Sequence, residues 1–258
     1  MSERYSYLDV AKMIDHSLLN PALTFEESEA GCRLGRDYEV ASVCVMPYFA
    51  ARCRELLAGS TIQPSTTIGF PHGGHSTAIK MSEAERALND GMTELDAVIN
   101  IGKARSGDWT YVGDEIRALT ELTHGRGQKI KIIFENAYLD DPAKIRLCQI
   151  CGESGVDWVK TSTGYAPSGA TLEDLKLMRK HSPPQVQVKA GDWRARRAED
   201  ILASFVVMSR SVFLQLAEQR IKRLLHYARI ANFQDHFHRI DRSPVSHRAT
   251  SCAGQQAA

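Results

Sequence analysis

The chain has 258 residues, of which 43% are hydrophobic and 24% charged, and its formal net charge is +1. This length can bury one sizeable core, as a single α/β barrel or as two smaller domains. The balanced charge gives no reason to expect nucleic acid or a membrane surface as a partner, and no apolar run is long enough to predict a membrane span.

The first residues, 1–5, lack the apolar segment of a signal peptide. Six cysteines are too few for a disulfide framework in a chain of this length. We therefore expect reduced thiols and a cytoplasmic protein.

Short β-prone runs recur along the chain at the spacing of strand–loop–helix–loop units. The predicted strands lie at 14–16, 41–46, 66–70, 94–99, 129–134, 158–161 and 186–189.

Helical patterns fill the gaps between these runs. Thr24 and Glu27 form a capping box at the start of the first one. The others are predicted at 76–89, ended by Gly91, at 108–124, ended by Gly125, and after Thr171.

Strict alternation of strands and helices predicts a parallel sheet and favours an α/β fold of the (β/α)8 TIM-barrel type. The only candidate for an eighth strand is 203–208, followed by a helix at 214–230. We predict one barrel domain at 1–232, divergent over 191–232, and a disordered polar tail at 233–258. His236 and His238 in that tail are not interpreted as a metal site.

Cys148 and Cys151 have the spacing of a C-x-x-C motif. They fall in a predicted helix, with neither a thioredoxin-like context nor a second pair of ligands nearby. We predict that they are buried thiols facing the sheet.

Lys160 lies at the end of a short apolar strand, just before the hydroxyl-rich turn Thr161–Gly164. Strand ends of this kind carry the chemistry of α/β barrels, and a lysine in apolar surroundings can become an amine nucleophile. The alternative is a surface lysine that extends from the strand end into solvent.

Lys189 ends the next predicted strand, and Asp96 interrupts an otherwise apolar one. Because neighbouring strands are about 5 Å apart, the two ammonium groups would repel and lower each other's pKa. A free amine, a cation and a carboxylate are the groups that Schiff-base chemistry needs. A purely structural Lys–Asp–Lys network is the alternative.

Several ordered motifs resemble those of the deoxyribose-phosphate aldolase family, class I aldolases on a (β/α)8 barrel. The matching segments are 13–20, 42–47, 69–73, 94–100, 131–135 and 159–164.

The resemblance implies that Lys160 forms the Schiff base, that Lys189 tunes it and that Asp96 assists proton transfer through bound water. It implies pocket positions for Asp15, Cys44 and Lys131, although Cys44 could be a small buried residue and Lys131 could pair with Glu135 or Asp96. Thr161, Ser162, Gly191 and Ser209 complete the predicted substrate-binding set.

The implied reaction cleaves 2-deoxy-D-ribose 5-phosphate into glyceraldehyde 3-phosphate and acetaldehyde, so the partners are small molecules. The resemblance also suggests a homo-oligomer. We expect no cofactor and no metal, because the iminium supplies the electron sink. His72 and His75 in a glycine-rich loop lack a telling third ligand for zinc.

The match weakens after Lys189. The family usually continues with a Gly-Gly-Val-Arg type turn that helps to hold the substrate phosphate, whereas this chain reads Gly191-Asp192-Trp193-Arg194. Tyr165 stands where relatives often have a lysine, and 207–210 only partly resembles the last phosphate turn. We therefore expect weakened phosphate binding, and we keep two alternatives: an aldolase for another aldehyde acceptor, and a catalytically impaired relative that acts as a binding protein.

Overall fold

The computed structural model describes residues 6–192. Seven parallel strands form one sheet in the order of the chain. The strands are β1 Asp15–Leu18, β2 Ser42–Val45, β3 Gln63–Ile68, β4 Glu94–Val98, β5 Lys129–Ile133, β6 Trp158–Lys160 and β7 Gln187–Lys189. All the predicted strands up to residue 189 are therefore confirmed, while the predicted eighth strand, the helix at 214–230, the domain end and the tail lie outside the described residues.

Helices connect the strands as the alternating pattern predicts. They are α1 Tyr7–Ala11, α2 Phe25–Asp37, α3 Ala50–Leu56, α4 Thr77–Asn89, α5 Ile101–Arg105, α6 Trp109–Gly125, α7 Asp141–Ser154 and α8 Leu172–His181. The short helices α1, α3 and α5 were not predicted, because stretches of five to seven residues give little helical periodicity. Two 3-10 turns lie at Pro47–Phe49 and Asn136–Tyr138.

The capping box at the start of α2 is confirmed. The Thr24 side chain accepts a hydrogen bond from the Glu27 amide, and the Glu27 carboxylate accepts one from the Thr24 amide at 2.8 Å. The side chains of Asp108 and Thr171 cap α6 and α8 by accepting a hydrogen bond from the amides of Tyr111 and Asp174.

The main core lies between the sheet and the helices. Every second residue of the central strands joins it, including Leu95, Ile130, Ile132, Val159 and Val188. Because side chains alternate across a strand, the residues between them point to the inner face of the sheet. The charged strand residues belong to this inner set.

The sheet curls far enough for its two ends to touch through a side chain. Lys189 Nζ of β7 donates to the Met13 carbonyl and to Asp15 Oδ1 of β1, both at 2.8 Å. This contact brings the ends of the described sheet together, so that ionisable groups of five strands, β1 and β4 to β7, lie close to one another on its inner face.

Candidate active site

The site is built from inward-facing residues on neighbouring strands. Asp96 of β4 is in register with Lys131 of β5, and Lys160 of β6 is in register with Lys189 of β7. Asp15 comes from β1 at the other end of the sheet. The structure thus brings together the three predicted catalytic residues and two of the predicted pocket residues.

Lys160 is buried and paired rather than extended into solvent. Its Nζ lies 2.6 Å from Asp96 Oδ2, and only 13% of its side chain is exposed. Asp96 is 1% exposed and its other oxygen lies 3.2 Å from Lys131 Nζ. The expectation of a lysine held beside a carboxylate is confirmed, and the surface-lysine alternative is wrong.

The predicted direction of the Lys160 pKa is wrong. Burial lowers the pKa of Lys160, but the nearby groups Asp96, Cys44 and Asp15 outweigh burial and raise the pKa above its ordinary value. The Lys189 ammonium is directed to Asp15 and is not among the groups that dominate the pKa of Lys160. The free protein therefore holds Lys160 as an ammonium, and a proton must leave before the nitrogen can attack a carbonyl.

Burial raises the pKa of Asp96, but the neighbouring ammonium groups of Lys131 and Lys160 outweigh burial and hold that pKa below its ordinary value. Asp15 behaves in the same way. Burial raises its pKa, but the charges of Lys189, Lys131 and Lys160 outweigh burial and hold the pKa below its ordinary value. Both carboxylates are therefore ionised at neutral pH and can accept hydrogen bonds or protons from lysines.

Lys131 is fully buried and makes a contact that the sequence analysis missed. It pairs closely with Glu94, the first residue of β4, as well as with Asp96. Asp15 Oδ2 is 3.8 Å away. Of the two predicted alternatives, pairing with Asp96 is confirmed. Pairing with Glu135 is wrong, because the Glu135 carboxylate accepts hydrogen bonds from the amide and hydroxyl of Thr163.

A signal for Glu94 was present in the sequence. Glu94 and Asp96 are two residues apart on one strand, so they face the same side of the sheet. The inner cluster therefore contains three lysines and three carboxylates: Lys131, Lys160, Lys189, Asp15, Glu94 and Asp96.

Cys44 of β2 is a buried thiol at the edge of this cluster. Burial raises its pKa to about 12, and the charge of Asp96 adds to this effect. Cys44 is thus a neutral, small side chain that lines the pocket. Cys148 and Cys151 are also buried free thiols, as predicted for the face of α7 that covers the sheet.

The hydroxyl-rich turn after β6 lies against the end of β7. Thr161 and Ser162 are buried, and Thr161 Oγ1 accepts a hydrogen bond from the Gly191 amide at 2.9 Å. A Cβ on Gly191 would lie 2.0 Å from the Ser162 carbonyl oxygen, so only glycine fits here. The Gly191 amide is thus already hydrogen-bonded within the protein, to Thr161. Ser162 Oγ, in contrast, is buried without a hydrogen-bond partner among the described residues.

The loops above this turn carry acidic and aromatic groups. Asp192 packs against Gly164 and Gly169, and its charge acts on Glu135. The Tyr165 hydroxyl donates to the Leu19 carbonyl at 2.6 Å, and its ring meets Phe70 edge-on at 5.4 Å. Ser209, a predicted binding residue, lies outside the described residues.

His72 and His75, which were considered for zinc, are both exposed. Residues 6–192 contain no group of three or more His, Cys, Asp or Glu side chains placed to hold a metal ion. In the same range, no helix is long and apolar enough to cross a membrane.

Comparison with known proteins agrees with the geometry. The family model described as DeoC/LacD family aldolase matches residues 9–202. A deoxyribose-phosphate aldolase of Rhodopirellula baltica is 62% identical over 186 residues, which cover 72% of this chain and 77% of the relative. One from Caldanaerobacter subterraneus is 42% identical over 191 residues, covering 74% of this chain and 83% of the relative.

Two solved structures share the fold. An aldolase designated QR15 has a TM-score of 0.74 and 29% identity, over 86% of this chain and 98% of that one. The tetrameric deoxyribose phosphate aldolase of Aeropyrum pernix has a TM-score of 0.72 and 25% identity, over 86% of this chain and 92% of that one. With its motifs in order, its charged inner face and these matches, the chain belongs to the DeoC/LacD family of aldolases.

Proposed function

We propose that the protein is a class I aldolase that cleaves 2-deoxy-D-ribose 5-phosphate into glyceraldehyde 3-phosphate and acetaldehyde. The observation that carries this function is the buried pair of Lys160 and Asp96, 2.6 Å apart inside a curled parallel sheet. An amine nucleophile next to a proton acceptor is what Schiff-base formation requires.

The reaction begins with proton transfer from Lys160 to Asp96. The neutral amine attacks the aldehyde carbon of the open-chain sugar, and loss of water gives an iminium. Removal of the proton from the C3 hydroxyl then breaks the C2–C3 bond, and the electron pair of that bond forms an enamine on the lysine. Glyceraldehyde 3-phosphate leaves, the enamine carbon takes up a proton, and hydrolysis releases acetaldehyde and Lys160.

Lys189 and Asp15 have a positioning role in this scheme. Lys189 Nζ is held at 2.8 Å from Asp15 Oδ1, directly beside Lys160 in the register of the sheet. A fixed cation at this place favours a negatively charged oxygen as the C3 hydroxyl loses its proton. In this scheme Ser162 Oγ, which is buried without a hydrogen-bond partner among the described residues, binds a hydroxyl or phosphate oxygen of the sugar.

We place the enzyme in the cytoplasm, in the breakdown of deoxyribonucleotide sugars, because its buried cysteines are free thiols and reduced thiols are typical of that compartment. We also propose a homo-oligomer, a proposal supported by the tetramer of the Aeropyrum pernix relative.

Trapping with borohydride tests the lysine. Incubation with acetaldehyde and borohydride should add one ethyl group to Lys160, detected by mass spectrometry of a peptide digest, and Lys160→Met should abolish both the adduct and turnover. An unmodified lysine in a folded protein would support the alternative of an inactive binding protein.

A second candidate function is cleavage of an unphosphorylated substrate. Asp192 and Glu135 place negative charge beside the Thr163–Gly164 turn, where a phosphate would be repelled. The comparison of kcat/KM for deoxyribose and its 5-phosphate separates the two functions. Preference for the phosphate supports the first, and Asp192→Asn should then raise its kcat/KM several-fold; preference for the free sugar supports the second.

A further inference from the structure

Glu94 has no assigned part in the chemistry, yet it sits inside the charged cluster. It is 7% exposed, and its carboxylate pairs closely with Lys131. Lys131 Nζ lies 3.2 Å from Asp96 Oδ1, and Asp96 Oδ2 lies 2.6 Å from Lys160 Nζ. These contacts form a continuous series of ion pairs from Lys160 to Glu94, in which the Lys160–Asp96 and Lys131–Glu94 pairs are also hydrogen-bonded.

The charge balance of the cluster indicates where the proton of Lys160 goes. With Lys160 as an ammonium, three cations face three carboxylates. When Lys160 loses its proton to become a nucleophile, the buried cluster keeps all its carboxylates but has lost one cation. An uncompensated charge in a buried site is costly, so the proton is best kept within the cluster.

The three carboxylates differ in how well they can keep a proton. Within residues 6–192, Asp96 and Asp15 each contact two lysine ammonium groups within 4 Å, whereas Glu94 contacts only Lys131. Burial raises the pKa of Glu94 above its ordinary value, and the charges of Asp15 and Asp96 add to this effect despite the opposing charge of Lys131. Of the three carboxyl groups, Glu94 is thus the one whose pKa is raised, whereas the pKa values of Asp15 and Asp96 are lowered.

We propose that Glu94 stores the proton that Lys160 releases, and that Asp96 and Lys131 transfer the proton from Lys160 to Glu94. This proposal rests on the function proposed above. Lys160 gives a proton to Asp96, Lys131 gives one to Glu94, and Lys131 then takes the proton from Asp96. The net result is a neutral amine at Lys160 and a neutral acid at Glu94. When the carbinolamine loses water, Lys131 gives a proton to Asp96 and takes one from Glu94, and Asp96 protonates the carbinolamine hydroxyl, which leaves as water while the nitrogen lone pair forms the iminium.

Glu94 acts through other residues, since Lys131 lies between it and the reacting nitrogen. The titratable groups that face it are Lys131 from β5, Asp15 from β1 and Asp96 on its own strand. The Trp158 ring of β6 lies 5.0 Å from the Lys131 ammonium.

The test uses a variant that imitates the deprotonated state. Lys160→Met removes the positive charge permanently, so Glu94 should then carry a proton at pH 7. Infrared spectroscopy should show a carboxylic acid carbonyl band in Lys160→Met that is absent from the wild type. The band should disappear in Lys160→Met/Glu94→Gln. If the Gln variant does not fold, Glu94→Asp in the same background serves, because the band must shift if position 94 carries the proton.

Absence of the band in Lys160→Met would overturn the proposal, as would a band unchanged by substitution at position 94. Kinetics of the full chain provide the second measurement. Glu94→Gln should lower kcat at least tenfold and move the pH dependence of imine formation with acetaldehyde, whereas Glu94→Asp should recover the wild-type pH dependence. Unchanged pH dependence in folded Glu94→Gln would also contradict the proposal. Because acetaldehyde trapping on Lys160 is scored separately, failure of the proton store is distinguishable from failure of the aldolase function.

Discussion

At the scale of the residue, the pairing of Lys160 with Asp96 decides the reactivity of the site. The same carboxylate that stabilises the lysine as an ammonium, and so raises its pKa, is the nearest acceptor for its proton. Stabilising the ammonium form makes Lys160 less nucleophilic in the resting enzyme. The close contact, however, provides a proton acceptor directly beside the lysine nitrogen.

Asp96→Asn separates these two effects. The amide removes one negative charge, so the pKa of Lys160 should fall and trapping with acetaldehyde should extend to lower pH. Turnover of the sugar phosphate should nevertheless drop by roughly 10²- to 10⁴-fold, because general acid–base assistance is lost.

The measurements are the pH profile of borohydride trapping and steady-state kcat. Cys148→Ser is a suitable control, since it changes a buried thiol on α7 that is not among the groups acting on Lys160, and it should leave the trapping profile near that of the wild type. A trapping profile that moves to higher pH in Asp96→Asn would contradict the pairing as described.

Sequence reasoning found Lys160, Lys189 and Asp96 because charged residues are conspicuous in apolar strands. It did not find how they pair. Pairing depends on strand register and on the curl of the sheet, which brings Asp15 of β1 to Lys189 of β7 across 174 residues of chain. The direction of the Lys160 pKa was wrong for this reason: the prediction relied on repulsion by Lys189, whereas the Lys160 ammonium pairs with Asp96 and the Lys189 ammonium pairs with Asp15.

At the scale of the element, a buried ion pair between two helices holds them against the end of one strand. Lys80 of α4 and Glu115 of α6 are 2.7 Å apart, with side chains 0% and 1% exposed. Lys80 also donates to the Val98 carbonyl at 2.8 Å, and Glu115 accepts from the Asn100 amide at 3.2 Å. The pair thus fixes the end of β4, the strand that carries Asp96.

Lys80→Met should destabilise the protein by about 3–5 kcal/mol, because it leaves the Glu115 carboxylate buried without its partner. The double variant Lys80→Met/Glu115→Leu should recover much of this loss, since neither charge then remains. Denaturant unfolding measures both values. Equal destabilisation of the single and double variants would contradict the argument.

A surface pair provides the matched control. Arg117 and Asp114 on α6 are 2.9 Å apart with side chains 57% and 61% exposed, so Arg117→Met should change the free energy of unfolding by less than about 1 kcal/mol.

At the scale of the whole molecule, the part of the fold that the sequence predicts is the alternation of strands and helices. Strands β1 to β7 follow from short apolar runs at regular intervals, and the caps at Thr24, Asp108 and Thr171 follow from local chemistry. The Lys80–Glu115 pair could not be predicted from the sequence. Its partners lie 35 residues apart on two helices, and no local pattern fixes the rotation of one helix relative to the other.

One buried histidine should make the free energy of unfolding depend on pH in the mildly acidic range. Burial lowers the pKa of His16 to about 4 from its ordinary value near 6.5, against the opposing effect of a hydrogen bond with the Gly31 backbone. The unfolded chain therefore takes up a proton at His16 in a pH range where the folded protein does not. The free energy of unfolding should fall as the pH is lowered from about 6.5 to 4.

Urea unfolding at steps across this range tests the prediction. His16→Leu should flatten the dependence, whereas His124→Gln, which changes a histidine with a 40% exposed side chain, should keep it. An equally steep dependence in His16→Leu would show that other groups are responsible. Below about pH 4, protonation of Asp15 and Asp96 should remove further stability, because both have lowered pKa values in the folded state.

The contact of Lys189 with β1 has a practical consequence for mutagenesis. This one ammonium group joins the first and last strands of the described sheet, through the Met13 carbonyl and Asp15, and it also borders the reactive lysine. Loss of activity on substituting Lys189 is therefore ambiguous by itself, since a sheet that opens and a reaction that slows give the same assay result. Hydrogen exchange of the β1 amides, recorded on the same variant, would tell the two apart.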